Sequence, residues 1–147
     1  MEKINYRENL ENIGKELLVD LLSSGTCFDY LVILAMKSEN HLDEKYDKDY
    51  LENRCLEDKW ADRLLNGGHI VALDYEDYDE EKKQPKRYEL TLEDFKKGLI
   101  KARDGEAETD WYDFTHFTDD DYTCNNLLQI IIYGEIIYDN PQGRSEC

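Results

Sequence analysis

Apolar residues recur at helical spacing early in the chain: Leu10, Ile13, Leu17 and Leu21, with Leu18 and Leu22 widening the stripe. The spacing predicts an amphipathic helix. Ser23, Ser24 and Gly25 stop it, and Gly25 suits a left-handed C-terminal position. Thr26, with Asp29 three residues on, reads as a loose capping box. It opens a second helix through Leu31, Leu34 and Ala35. The unbroken run from Tyr30 to Leu34 suits a buried strand as well, because periodicity cannot separate the two over so few residues; helix is the preferred reading.

Between Lys37 and Lys59 both signs of charge are mixed, the pattern of a solvated helix or loop. Leu56, Trp60, Leu64 and Leu65 then place an apolar stripe on a helix ended by Asn66, Gly67 and Gly68. From His69 to Tyr75 the side chains alternate, with Ile70, Ala72 and Asp74 set against Val71, Leu73 and Tyr75, so a strand is predicted. Asp77 to Lys86, which contains Pro85, is a turn region, and Arg87 to Leu90 returns as a short strand. Thr91 and Asp94 cap a helix bearing Leu92, Phe95, Leu99 and Ile100, with Gly105 beyond it. Tyr122 to Tyr133 is apolar nearly all round and forms a last helix ended by Gly134, with a frayed tail from about residue 139. No repeat or linker divides the chain. The expectation is a single compact α+β domain over residues 1–147, mostly helical, with about five helices and a small antiparallel β-hairpin.

Composition supports a folded chain despite its charge. Of 147 residues 40% are hydrophobic and 12% aromatic, while Pro and Gly are scarce at 2 and 8. That is enough apolar material for one core. The four cysteines, Cys27, Cys55, Cys124 and Cys147, show no CxxC spacing, and Met1 to Asn5 does not resemble a signal peptide. Reduced thiols in a cytoplasm are therefore expected, with Cys27 and Cys124 as small core residues. The longest uncharged apolar run, Tyr30 to Met36, is far short of a membrane span.

Charge changes the picture most. Against 18 Lys and Arg stand 35 Asp and Glu, a net charge of −17. A domain this acidic repels phosphate backbones and anionic lipid, which excludes direct nucleic-acid and membrane-surface binding and points to cationic partners. The charge is also uneven. Residues 74–103 hold acids and bases in blocks: Asp74, Glu76, Asp77, Asp79, Glu80 and Glu81, followed by Lys82, Lys83, Lys86 and Arg87. Residues 104–143 contain ten Asp and Glu and no Lys or Arg, interleaved with Trp111, Tyr112, Phe114, Phe117 and Tyr122.

That acidic segment reads either as a solvated loop whose aromatics plug into the core, or as a binding face. In the second reading Asp110, Asp113, Asp119, Asp120 and Asp121 imitate phosphates, and Trp111 and Tyr112 serve as anchors. Carboxylates four residues apart on a helix stand about 6 Å apart, similar to neighbouring phosphates. Asp77, Asp79 and Glu80 at the hairpin form a second contact.

Other chemistries find little purchase. An EF-hand needs Gly at its sixth position, where the run from Asp74 places Asp79. His41, His69 and His116 are scattered without zinc-ligand spacing relative to the cysteines. There is no GxSxG, and Asn66-Gly67-Gly68 lacks the Lys and Ser or Thr of a phosphate loop. Asp79 with Glu80, Glu81 and Lys82 loosely matches a nuclease acid–acid–Lys set, a match expected by chance in so charged a tract. No catalytic residue, metal site or cofactor is assigned, and the expectation is a protein that is not an enzyme.

Two stretches carry a resemblance. One comprises Ile70-Val71-Ala72-Leu73-Asp74 with Tyr88-Glu89-Leu90-Thr91-Leu92-Glu93-Asp94-Phe95-Lys96-Lys97-Gly98. The other runs from Asn126-Leu127-Leu128-Gln129 through Tyr133-Gly134-Glu135 to Tyr138. Together they resemble small acidic uncharacterised proteins of bacteriophages and mobile elements of gut bacteria. The resemblance implies a genomic setting and no catalytic residues. In that setting small acidic proteins include anti-CRISPR and anti-restriction inhibitors, some of which mimic DNA in charge layout. The functional expectation is a stoichiometric inhibitor of a basic, nucleic-acid-binding host protein, such as a CRISPR effector or restriction enzyme. The alternatives are a structural protein that self-associates, for instance as a homodimer, and a divalent-cation-binding protein.

Overall fold

A computed structural model describes residues 5–34 and 56–139. Among these, helices α1 (Lys15–Gly25), α2 (Leu56–Leu65), α3 (Leu92–Lys101), α4 (Glu108–Thr115) and α5 (Asp121–Tyr133) surround a sheet of β1 (Leu31–Leu34), β2 (Ile70–Asp79) and β3 (Gln84–Leu90). The class is α+β, as the patterning predicts. The expectations for residues 37–55 and for the tail beyond Asp139 lie outside the described residues, as do Cys55, Cys147 and His41.

Helix α5 is the axis of the fold. It packs against α1, α3 and α4, and Leu127, Leu128, Ile130 and Ile131 are buried together with the polar Asn125 and Gln129. A helix apolar nearly all round has to be covered on most sides. Its ends are defined by local chemistry. Asp120 is the N-cap, its carboxylate accepting from the Thr123 N–H at 2.9 Å, and Gly134 closes it at φ +82°. The approach of α3 is close enough to require glycine: a Cβ at Gly98 would stand 2.6 Å from the Ile131 Cα. Helix α3 opens on the expected capping box, Thr91 and Asp94 each bonding the other's backbone N–H. Lys15 ties α1 to α2 through Asp58 and Asp62 at 3.5 and 3.1 Å.

Four local expectations are corrected. The run after Tyr30 is strand β1 and not a helix: Leu31 to Leu34 pair antiparallel with Asp74 to Val71. Four apolar residues have no period of their own, so pairing with β2 decides their state. The first helix begins at Lys15; Leu10 and Ile13 lie outside it, yet both are buried. The hairpin is longer than expected, since β2 continues to Asp79 and β3 starts at Gln84, leaving a short turn where a long one is predicted. Cys27 is also disulfide-bonded, which corrects the expectation of a reduced thiol there; Cys124 is free and buried. Cysteine separation along a sequence does not report the Cα distances that decide pairing.

Candidate functional site

The acidic segment folds into α4, a short loop and the first turn of α5, and its helical phase decides what faces out. Trp111, Phe114 and Thr115, at i, i+3 and i+4, are buried, while Tyr112 and His116 face solvent. Trp111 is therefore a core residue packed beside Phe114, with ring centroids 6.2 Å apart, and not an exposed anchor. The exposed rings are Tyr112 (58%), Phe117 (53%) and Tyr122 (46%). Tyr112 stacks on His116 at 3.8 Å, and Tyr122 leans on the buried Phe28 at 5.2 Å.

The five aspartates divide. Asp119 turns inward and accepts from Arg7 Nη1 at 2.8 Å and from the Cys124 thiol at 3.3 Å. It is not an available phosphate mimic, because a buried cation claims it. Asp120 is committed to capping α5. Asp113 accepts from the Thr118 hydroxyl at 3.2 Å, and Asp110 accepts from the Asn126 amide at 3.4 Å. Burial pushes the Asp110 carboxyl above its ordinary value; the bond from Asn126 opposes this, and the nearby charges of Asp113 and Asp120 raise it further. Asp121 sits in the first turn of α5, at the positive end of the helix dipole.

Arg7 organises the region from below. It is 9% exposed. Its guanidinium is stacked between Phe114 and Phe117, 4.5 and 4.1 Å from their ring centroids. It donates to the Phe114 carbonyl at 2.9 Å, to Asp119, and to Asp20 on α1 at 3.1 Å. Tyr6 adds a 2.5 Å hydrogen bond to the same Asp20 oxygen. Burial alone would lower the pKa of Arg7; the bonds to Asp119 and Asp20 outweigh it and hold Arg7 above its ordinary value. Phe117 adopts φ +60°, an uncommon backbone for a bulky residue, and its ring roofs this cation. No local pattern in the sequence marks Arg7, since its partners Asp20, Phe114 and Asp119 lie 13, 107 and 112 positions away. Burial and the neighbouring Asp119 push the Cys124 thiol up, which removes it as a nucleophile.

The hairpin holds the second set of predicted residues. β1 pairs with β2 only as far as Asp74, and beyond it Tyr75 to Asp79 pass into solvent as an arm. Between the pairs Asp74–Lys86 and Tyr78–Pro85, β2 advances four positions and β3 one, so Tyr75, Glu76 and Asp77 form an extended bulge. Asp77 meets Lys86 at 3.7 Å, and Asp79 caps the turn by accepting from the N–H groups of Glu81 and Lys82 at 3.1 and 3.2 Å. Glu80 is exposed.

At the root of the arm lies a node absent from the sequence reading. Asp74 is 1% exposed and its Oδ2 accepts from the hydroxyls of Tyr133 and Tyr138 at 2.7 and 2.6 Å, while Oδ1 accepts from the Glu76 N–H at 2.9 Å and holds the bulge. Burial, then Asp74, pushes both tyrosines up. Tyr30, pushed to about 12 by burial, donates to Asn125 at 3.0 Å. Gln129 accepts from the N–H groups of Ile137 and Tyr138 at 2.9 and 2.8 Å, clasping the strand-like tail against α5. Each group is satisfied without a cation, which marks the node as an anchor.

Among the described residues no group of three or more His, Cys, Asp and Glu side chains is arranged to hold a metal ion, and no helix is long and apolar enough to cross a membrane. No protein-family model matches the chain, nor does any curated protein or solved structure at a significant level.

Proposed function

We propose that the chain is a non-enzymatic, stoichiometric inhibitor or adaptor of the phage accessory type. Its α4–α5 face occupies the nucleic-acid-binding surface of a basic host protein, such as a CRISPR effector or restriction enzyme. What supports this reading is the one-sided charge of the face. Asp110 is held within reach of the like charges of Asp113 and Asp120, and Arg7 is buried and spends its guanidinium on Asp119, Asp20 and the Phe114 carbonyl. A partner's Lys or Arg at that surface relieves the repulsion, so the unfavourable charge of the free protein becomes favourable on binding. Tyr112 and Tyr122, rather than Trp111, are the exposed rings that flank it.

Affinity capture from a bacterial host lysate, then salt-titrated binding of the captured protein, tests the proposal. The expected partner is basic, and duplex nucleic acid competes with the chain for it. Asp113→Asn, Asp121→Asn and Tyr112→Ala together lower affinity at least about tenfold and flatten the salt dependence, with the fold intact. A partner that binds nucleic acid and this chain at once, or an unaltered salt slope in the triple variant, overturns it. The proposed location is the bacterial cytoplasm. The disulfide at Cys27 bears on that, since cytoplasmic thiols are kept reduced. Alkylation of acid-quenched cells reads it out: a free thiol at Cys27 supports the cytoplasm, and a fully oxidised one argues for another compartment.

A further inference from the structure

The hairpin arm carries both signs of charge in two blocks that its own register leaves unmatched. Glu76, Asp77 and Asp79 stand on the outgoing strand with Glu80 and Glu81 following in the first half of the turn; Lys82 and Lys83 fill its second half, and Lys86 and Arg87 stand on the return strand. A hairpin ordinarily neutralises such blocks through directly opposed pairs. Here Tyr78 faces Pro85 and Asp79 faces Gln84, while the bulge sets Tyr75, Glu76 and Asp77 out of the ladder. Lys86 reaches Asp77 across the strands at 3.7 Å, and Arg87 turns along its own strand to Glu89 at 3.3 Å. The side chains of Glu76, Glu80, Glu81, Lys82 and Lys83 are exposed and make no ion pair among the described residues. Tyr75 and Tyr78, 53% and 48% exposed, stand among the acids without a ring or hydroxyl partner among the described residues.

We infer that this arm is a self-association element that docks the arm of a second copy of this chain across a two-fold axis. The acidic run from Glu76 to Glu81 of each copy then faces the run from Lys82 to Arg87 of the other. A two-fold contact uses one patch twice and so needs a self-complementary surface. An arm bearing both signs in separate blocks is such a surface, and the two tyrosines supply amphipathic area between the blocks. Edge-to-edge strand pairing is not the mode, because charged side chains, Pro85 and the bulge are features that block it. Two chains of −17 repel, but at about 0.15 M salt charges more than about 8 Å apart are largely screened and the contacting pairs survive. The arm is small against the roughly 1,200 Å² of a stable interface, so the dimer is weak and concentration-dependent. Self-association through the arm uses residues other than those of the α4–α5 face, so it stands or falls apart from binding at that face.

Sedimentation equilibrium on the full chain, from about 1 μM to about 1 mM at physiological salt, tests it over the range where so small a contact titrates. A monomer–dimer transition is expected. Lys82→Glu with Lys83→Glu, and separately Glu80→Lys with Glu81→Lys, each move the midpoint up about tenfold, as several individually weak exposed pairs are lost together. Mixing the two variants in equal amounts restores dimer, now a heterodimer of opposite arms. Tyr75→Ser with Tyr78→Ser weakens the dimer without touching charge, and circular dichroism confirms that each variant is folded. A wild-type chain that stays monomeric throughout, a dimer indifferent to both reversals, or a mixture no tighter than its components overturns the inference.

Discussion

At the junction of α4 and α5 the carboxylates are built into the fold: Asp119 is paired with Arg7, Asp120 caps a helix, and Asp110 and Asp113 are hydrogen-bonded by neighbours. In the hairpin arm the carboxylates project past the last residue that β1 covers, and the fold uses little beyond the Asp79 turn and one exposed ion pair. Two acidic regions that look alike in composition therefore differ in what their charge does. In the first, charge and stability are coupled, most of all at Asp119 and Asp120, so removing those carboxylates also lowers stability. In the second, charge is nearly independent of stability and is free to be shaped by contacts with other molecules.

The largest effect expected from this contrast is at Arg7. Arg7→Met leaves Asp119 and Asp20 without their cation in a largely buried setting, and a loss of about 3–5 kcal/mol is expected in chemical denaturation. Next is the anchor of the arm. Tyr133→Phe with Tyr138→Phe strips both hydroxyl donors from the buried Asp74 carboxylate and costs about 1–3 kcal/mol. Amide exchange at Tyr75 to Asp79 accelerates with it if Asp74 holds the bulge. Asp120→Ala removes the α5 cap and costs about 1 kcal/mol, read as a drop in melting temperature.

Asp110→Asn has the opposite sign. Its carboxyl is raised in the folded chain, so between the unfolded and folded values the native state binds more protons, and stability falls as pH rises through that window. Ionised Asp110 therefore opposes folding above it. The Asn variant melts slightly higher than wild type at neutral pH, and the difference vanishes below about pH 3, where the carboxyl is protonated in both states. The smallest effect is on the arm: Glu80→Lys with Glu81→Lys changes stability by no more than about 0.5 kcal/mol. A large loss there would erase the distinction between the two regions.

Much of this architecture is legible in the sequence where local chemistry decides it. The Thr91–Asp94 box, the Gly134 stop and the all-round apolarity of α5 are written in adjacent residues. The burial of Trp111 was also within reach, because Trp111, Phe114 and Thr115 share a helical face that leaves Tyr112 outside. Other features depend on distant partners. β1 is a strand because Val71 to Asp74 pair with it. Asp119 is indistinguishable in sequence from Asp120 and Asp121, and only the approach of Arg7 sets it apart. The same holds for Asp74, one acid among six in its tract, which two tyrosines from the far end of the chain select.

The reach of Arg7 also bears on when the protein is assembled. Arg7 and Asp119 are 112 positions apart, and at ribosomal rates of about 5–20 residues per second, roughly 6–22 s separate their synthesis. Through that interval the first-made segment has neither the carboxylate nor the two phenylalanine rings that later enclose it. The Arg7 segment is thus the part that waits, and the contact between Arg7 and Asp119 closes only once the α4–α5 junction has been made.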